Sequence, residues 1–596
     1  MKKENIINRI SVAQKPHYGV FITGINKVEL LNDSIPKKWF QGNHFITESL
    51  GNSVCSSDLK AIRQFRMHSR IPNNAIQIAL GHETIQRIIK APNNSKISPG
   101  QIVLISPGLT NQPINPETFS EDKSDGVLAS IGYSFRYAAG MRKFNGIPEI
   151  ANEIISSQGL GKLFIPINNA VPVSLATLAH AEPFACCYGA LQQIITRNQD
   201  NNEIRTGLPK KARIVMLSGT GRMAMITLAI LARGPLPAHI TITGSREKLD
   251  LLHQTSIFSE LQLKGVKINL VDRMNKLMIG TLLKVKKFDV AITFYPSQEI
   301  YNLAEKLVRV GGNINNFAGA IDPELYLPMT ILKVKNPSVS SVSRMLHQKP
   351  SGNKKLLFGL SANSRIALRG FENNTQLARV LLNSIPPKAK VNFDNINLLK
   401  EFPKLELFDE PFYTDVFIGS TGETAATHYQ EIEQHLDRNA AVNFIEGVTN
   451  INIKSRHIHY FSRHQIYGDN VPYFITNTSE PNSLHLEIQA NECINFDWMV
   501  QRVAGLKASI SLLTDIEKHS PFGSHFVLPQ IDDLPFVEID EKDFQNKAII
   551  EHKHGRIKSA KALRNAAKLL KKTNNQWSRE VEECLYDGYN ITYPLK

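Results

Sequence analysis

Residues 213–224 read RIVMLSGTGRMA, and an apolar run, MITLAILAR, follows at once. Ile214 to Leu217 have the continuous apolar pattern of a buried strand, and Gly219-Thr220-Gly221-Arg222-Met223-Ala224 runs from it straight into a helix. This is the strand, tight turn and helix of a dinucleotide-binding βαβ unit, with alanine in the third glycine position. Gly219 permits the turn, and Gly221 lets the backbone approach a pyrophosphate held at the helix N-terminus, beside Arg222 and Met223. Glycine-containing strand-to-helix turns also occur without a nucleotide, so the flanking sequence has to decide.

Downstream, HITITG (239–244) is a second strand whose tip continues into Ser245 and Arg246. An NAD site places an acidic residue at this tip for the ribose 2′-hydroxyl, and none occurs before Glu247. Ser245 and Arg246 offer a hydroxyl and a permanent cation instead, which suit the 2′-phosphate of NADP, so NADP is preferred over NAD. An exposed turn arginine is the plain alternative. The segments KINLVD, DVAITF and GGNINNFAG, with an amphipathic helix through EIYNLAEKLVRV, complete a five-strand alternation. Such alternation predicts a parallel sheet with helices on both faces, and a cofactor groove along the strand tips at Gly219, Gly244, 293–295 and 316–319.

The pattern then repeats. RIALRGFENNTQLARVLLNSI, from Arg365, parallels RIVMLSGTGRMAMITLAILAR, and KVNFDNINLLKEF and KLELFD parallel HITITGSREKLDLL and KINLVD. The stretch from Asp289-Val290 to Asn316-Phe317 returns as Asp415-Val416 to Asn443-Phe444. Internal similarity of this kind marks duplicated structure. The copy keeps the apolar pattern but has a single glycine, Gly370, and places Glu372 where a pyrophosphate would sit, so it is read as a second unit without a dinucleotide. Chance likeness between two α/β stretches is the alternative.

Upstream, from Tyr18 to about Ile165, the sequence is short apolar runs broken by Gly, Pro and Asn, a β-rich region with little helical periodicity. Three polar clusters stand out: Cys55-Ser56-Ser57-Asp58, Gly81-His82-Glu83, and Glu182-Pro183 at the start of an apolar helix. Thiolate, imidazole and carboxylate together suit a catalytic zinc, which takes about three protein ligands and leaves a position open. Singly, each has an ordinary reading as a buried thiol, a turn histidine and a helix N-terminal carboxylate.

The order C-x-x-D, G-H-E, E-P and G-x-G-x-x-A resembles the medium-chain dehydrogenase/reductase family of zinc alcohol and polyol dehydrogenases. Within it, the chain is most similar to the sorbitol dehydrogenase and sorbose-1-phosphate reductase branch. The resemblance implies zinc on Cys55 and His82, completed or exchanged by Glu83 and Glu182. It also implies a proton relay beginning at Ser57 and an orienting role for Asp58 on His82. The chain departs from the family at Gln86, where glycine is usual, and in the segment 106–125, which has none of the cysteines of a structural zinc lobe. One catalytic zinc and no structural zinc are therefore expected.

The implied fold class is α/β. A GroES-like β-rich catalytic domain (1–190) precedes a Rossmann doubly wound parallel sheet (191–330). A linker (331–364) leads to a second, degenerate Rossmann-like unit (365–480), a return to the catalytic domain (481–540) and a basic helical tail (541–596). A length of 596 residues suits several domains, and 42% hydrophobic with 21% charged residues is ordinary globular composition. Five scattered cysteines argue against a disulfide framework, and no apolar run has signal-peptide or membrane-span length, so a cytoplasmic location is expected. The formal charge of +15 is most concentrated in HKHGRIKSAKALRNAAKLLKK, read as the solvated face of a basic helix. His457, His459 and His464 lack a cysteine or carboxylate at ligand spacing and read as ordinary strand histidines. The expected partners are a small alcohol or ketone and further copies of the chain, with neither membrane nor nucleic acid. With the resemblance, these features imply a zinc-dependent oxidoreductase moving hydride between NADP(H) and an alcohol, polyol or ketone, a sugar phosphate among the candidates. A zinc-free reductase of the same fold and a catalytically silent binding protein are the two alternatives.

Overall fold

The structure is a computed structural model that describes residues 17–32, 43–65, 77–93, 95–106, 139–149, 162–167, 172–197, 204–317, 326–329, 362–444, 451–454, 465–467, 473–477 and 483–595, apart from 235, 296, 373, 374, 408–412, 421, 433, 434 and 520. The cysteine-free segment from 107 to 125, most of the linker and the three histidines at 457–464 lie outside the described residues. The chain divides into two compact units, residues 1–185 with 481–596 and residues 186–480. No helix among the described residues is long and apolar enough to cross a membrane.

The first unit is β-rich. Its main sheet runs in the order Val537–Glu538, Val500–Gly505, Ser524–Leu528, His44–Ser53, Glu83–Lys90, Ile102–Ile105 and Phe164–Pro166, with Phe144–Pro148 paired to His44–Ser53. His44–Ser53 is buried along almost its whole length, because it lies between neighbours on both edges and is covered on both faces. Two helices interrupt this region, Ser56–Gln64 and Leu175–Ala179. Both are short and start at a side-chain cap, a signal that 3.6-residue periodicity misses over so few turns.

The C-terminal segment is part of this core. Helices Glu541–Lys553, Ile557–Lys572 and Arg579–Gly588 pack beside the sheet, and Leu563, Leu570, Trp577, Leu585 and Tyr586 join its main apolar cluster. On Ile557–Lys572 the buried residues occupy one side, and Lys558, Lys561, Arg564, Lys568, Lys571 and Lys572 are exposed on the other. Glu582 anchors the segment. Its carboxylate accepts hydrogen bonds from Leu175 N (2.7 Å), Ala176 N (3.0 Å), Trp577 Nε1 (2.9 Å) and Tyr593 OH (2.7 Å). Burial, aided by the nearby Asp497, pushes its pKa up to about 7 against these bonds.

The second unit holds one twelve-stranded sheet. Its first five strands lie in the order Lys267–Asp272, His239–Gly244, Arg213–Leu217, Phe288–Thr293 and Val308–Asn316, all parallel. This is the doubly wound order, and it puts the ends of Leu217, Gly244, Thr293 and Asn316 on one edge. Residues 365–444 form the same arrangement: Glu406–Leu407, Lys390–Phe393, Arg365–Arg369, Tyr413–Ile418 and Leu436–Phe444, again parallel. A hydrogen bond is conserved between them. Arg213 N donates to Asp289 Oδ2 at 2.8 Å, and Arg365 N donates to Thr414 Oγ1 at 2.9 Å, each tying the start of one strand to its neighbour. Strands Tyr473–Asn477 and Gln465–Tyr467 lie between the two sets.

Candidate active site

In the first unit the chain turns from strand His44–Ser53 into helix Ser56–Gln64 at Cys55. The Cys55 sulfur accepts the Ser57 N–H at 3.5 Å, while Asp58 Oδ2 accepts the Cys55 N–H at 3.1 Å, a reciprocal cap. The same carboxylate accepts Gly81 N–H on Oδ1 at 3.2 Å and lies 3.4 Å from His82 Nδ1. Asp58 thus starts a helix, fixes a turn and orients an imidazole. Gly81 is required there: its φ is +91°, and a Cβ would fall 2.6 Å from Asn52 Oδ1 and 2.9 Å from the Met141 backbone nitrogen.

The result is a cluster. One ligand atom each from Cys55, His82 and Glu83 lie within 4.8 Å of one another, with His82 and Glu83 buried. Ser57 Oγ stands 3.1 Å from His82 Nε2. Burial lowers the proton affinity of His82, but the charge and hydrogen bond of Asp58, with a smaller contribution from Cys55, outweigh it and hold the pKa well above 6.5. A borderline-soft donor set around an imidazole braced by a carboxylate fits a zinc ion.

Glu182 is not in this group. It lies in the first turn of helix Ala181–Gln192 and is partly buried. His180, just before it, is fixed at both ring nitrogens, with Nδ1 2.6 Å from Ala176 O and Nε2 2.6 Å from Ser524 Oγ. Sequence reasoning passed over this histidine because its partner is 344 residues away.

Gln86, in place of a glycine, continues strand Glu83–Lys90 and is fully buried. Its amide accepts from Thr47 Oγ1 and from Asn145 Nδ2 (3.3 Å) and donates to Ser49 Oγ and Thr84 Oγ1 (both 3.3 Å). The departure is therefore absorbed by a satisfied polar network of residues too far apart in sequence to flag it.

In the second unit the glycine turn is built differently from its simplest reading. The left-handed residue is Ser218 (φ 53°), with its N–H on Thr243 Oγ1 at 2.9 Å. Gly219 is needed for packing, since a Cβ would lie 2.7 Å from Met216 Cβ and 3.0 Å from Met216 O. Gly244 likewise makes room for Thr220, whose Cγ2 would be 2.4 Å from an added Cβ. Gly221 has nothing within 4 Å of a Cβ, and no side chain caps the helix Arg222–Arg233 that starts there. An exposed helix N-terminus with free approach is what an anion such as a pyrophosphate uses. Arg222 and Met223 occupy the first turn. Ser245 begins the next helix, and Arg246 is 73% exposed, its Nε 3.0 Å from Asp250.

No protein-family profile matches the chain. Mannitol-1-phosphate 5-dehydrogenase of Aliivibrio fischeri is 22% identical over 331 residues, covering 54% of this chain and 72% of that protein. L-sorbose 1-phosphate reductase of Klebsiella pneumoniae is 24% identical over 302 residues, 49% of this chain and 67% of its own length. The chain resembles the medium-chain polyol dehydrogenases. The solved structure of Escherichia coli L-idonate 5-dehydrogenase superposes over 86% of this chain and 98% of its own, with 13% identity and a TM-score of 0.44.

Proposed function

We propose that the chain is a zinc-dependent oxidoreductase exchanging hydride between NADP(H) and an alcohol or polyol, or the corresponding ketone. The observation that carries this reading is the convergence of Cys55, His82 and Glu83 with Asp58 behind the imidazole. Cys55 and His82 would hold the metal, with Glu83 completing its coordination; Glu182, outside the cluster, has no place in this set. A zinc ion there supplies a Lewis acid for the substrate oxygen. Asp58 keeps the proton of His82 on Nδ1 and leaves Nε2 for the ligand side. Ser57, 3.1 Å from that nitrogen, is placed to accept a proton near the ligand atoms and pass it outward. In the other unit Gly219, Thr220 and Gly221 cradle the pyrophosphate, and Ser245 and Arg246 meet the 2′-phosphate of NADP. A polyol or ketose phosphate is the substrate class, because the relatives similar over about half of the chain are named for such substrates, and a charge of +15 favours an anion.

The test is metal analysis together with nucleotide binding. The wild-type chain is expected to carry one zinc, and Cys55→Ala and His82→Ala to lose metal and at least 1,000-fold in activity, on the order of 4 kcal/mol, while NADPH binding persists. Full activity of both variants without metal would reverse the assignment. It would favour the second reading, a zinc-free reductase of the same fold that works by hydride transfer alone, without a role for Cys55 or His82.

A further inference from the structure

The two halves of the twelve-stranded sheet are related by a local two-fold axis, and their register shows where it passes. In the first half Phe288 pairs with Val308 and Val290 with Asn313, so the fifth strand bulges between them. In the second half Tyr413 pairs with Leu436 and Asp415 with Ala441, with the same bulge at the same place. Ile314 and Val442 are therefore equivalent. Ile314 pairs with Ile475 in the next strand, and Val442 pairs with Ile466, both in parallel. Ile475 and Ile466 are then equivalent too, and they are each other's partners across an antiparallel seam. A residue paired with its own equivalent marks a two-fold axis. The hairpin-like ladder of Tyr326–Met329 with Ile451–Lys454, also antiparallel, joins the segments that follow the two fifth strands.

This is the geometry by which two copies of one half-sheet would associate, carried out inside one chain. A five- or six-stranded half ending at this seam would present an open strand edge, which invites pairing with another molecule. Here that edge is already filled. Of the outer edges, Lys267–Asp272 exposes Lys267 and Asn269, and the other ends, among the described residues, in Glu406–Leu407.

The turn of the second half is filled where that of the first is thin. Its turn holds Phe371, 2% exposed, at the position of Gly219, and the ring lies 2.6 Å from where a Cβ on Gly419 would be. Gly370 is closed against Ser420, whose Oγ would be 2.5 Å from an added Cβ.

We propose that the second half is a built-in partner: it takes the place of a second copy at the seam, and the chain works as a monomer with one dinucleotide site. This proposal departs from the homo-oligomer expected from the sequence. The one-site clause rests on the function proposed above, whereas the monomer does not. The seam also supports the groove. Thr476 Oγ1, in the strand added at the seam, donates to Asn313 Oδ1 at 3.0 Å and accepts from Asn315 Nδ2 at 3.1 Å, next to the strand tip at Asn316.

Sedimentation equilibrium of the full chain tests the monomer: a mass of 66.8 kDa is expected, and twice that mass overturns the proposal. The double variant Ile466→Cys with Ile475→Cys tests the seam, since directly opposed antiparallel residues lie about 4.5–5.5 Å apart, within disulfide reach. After oxidation a cross-link within one chain is expected on a non-reducing gel, absent from either single variant. A cross-link between chains, or none, overturns it. Titration with NADPH is expected to saturate at one per chain. Two per chain contradicts the closed second half, and none at all counts against the proposed function while leaving the mass and cross-link results to stand.

Discussion

Ser218 and Gly370 hold the same place in the two halves of the sheet, and both are left-handed, at φ 53° and φ 71°. The strands before them pair alike, Ile214 with Val290 and Ile366 with Asp415. One residue later the halves part. Gly219 keeps its turn thin, whereas Phe371 fills the corresponding space with a ring that packs on Gly419 and lies 6.2 Å from Phe393. The same backbone turn is thus thin in one half and filled by a buried ring in the other. At this position the first half has a glycine packed against Met216 and Ile242, and the second half has a buried ring.

The sharpest way to test that contrast is to remove the ring. Phe371→Ala is expected to cost about 3–5 kcal/mol of stability, as for other buried phenylalanines, read as a lower midpoint in urea, with NADPH affinity unchanged. An unchanged midpoint would mean that the ring is not core. Next in size is the reverse experiment on the open turn. Gly221→Asp puts a good helix cap where nothing lies within 4 Å, so the fold should hold while the carboxylate opposes the pyrophosphate. The dissociation constant for NADPH should rise about 100-fold, close to 2.7 kcal/mol, without a fall in melting temperature. Retained affinity would place the dinucleotide elsewhere. Arg246→Ala is milder, since this side chain is largely exposed and already shared with Asp250. The preference for NADP over NAD should drop about tenfold, or 1.4 kcal/mol. An unchanged ratio of the two dissociation constants would return Arg246 to an ordinary surface role.

What could be read in the sequence was local. The strand, glycine turn and helix at 213–233 lie within one contiguous stretch, and the repeat at 365 keeps the same spacing, so both halves were legible. So were Cys55, Asp58, His82 and Glu83, which come in two short clusters whose side chains meet. The unread features depend on distant partners. Ser218 takes the strained turn position because Thr243 receives its N–H. Gln86 is tolerated because Thr47, Ser49, Thr84 and Asn145 surround its amide. Glu582 caps a helix about 400 residues earlier in the chain.

The smallest predicted effect comes from a second position where the halves differ. Strand register shifts the sequence likeness of Asp289-Val290 to Asp415-Val416 by one residue, so that Val290, fully buried in the first half, is matched by Asp415 in the second. Burial pushes the Asp415 carboxyl up to about 6, while hydrogen bonds from Thr414 and Ser364 pull the other way. Thr414 Oγ1 donates to Asp415 Oδ2 at 2.7 Å, so the buried carboxyl has a hydrogen-bond donor beside it. Because its pKa is raised on folding, the folded state holds this proton more tightly than the unfolded chain. Its contribution to stability is complete below about pH 4 and is lost as pH rises through about 6. Asp415→Asn removes the titration and keeps an acceptor for Thr414. The variant should melt roughly 2–4 °C higher than the wild type at pH 8, with the gap closing towards pH 4. A constant gap across that range would show that the gain is one of packing, and a lower melting temperature at pH 8 would show that the ionised carboxylate, rather than the neutral acid, is what the second half was built around.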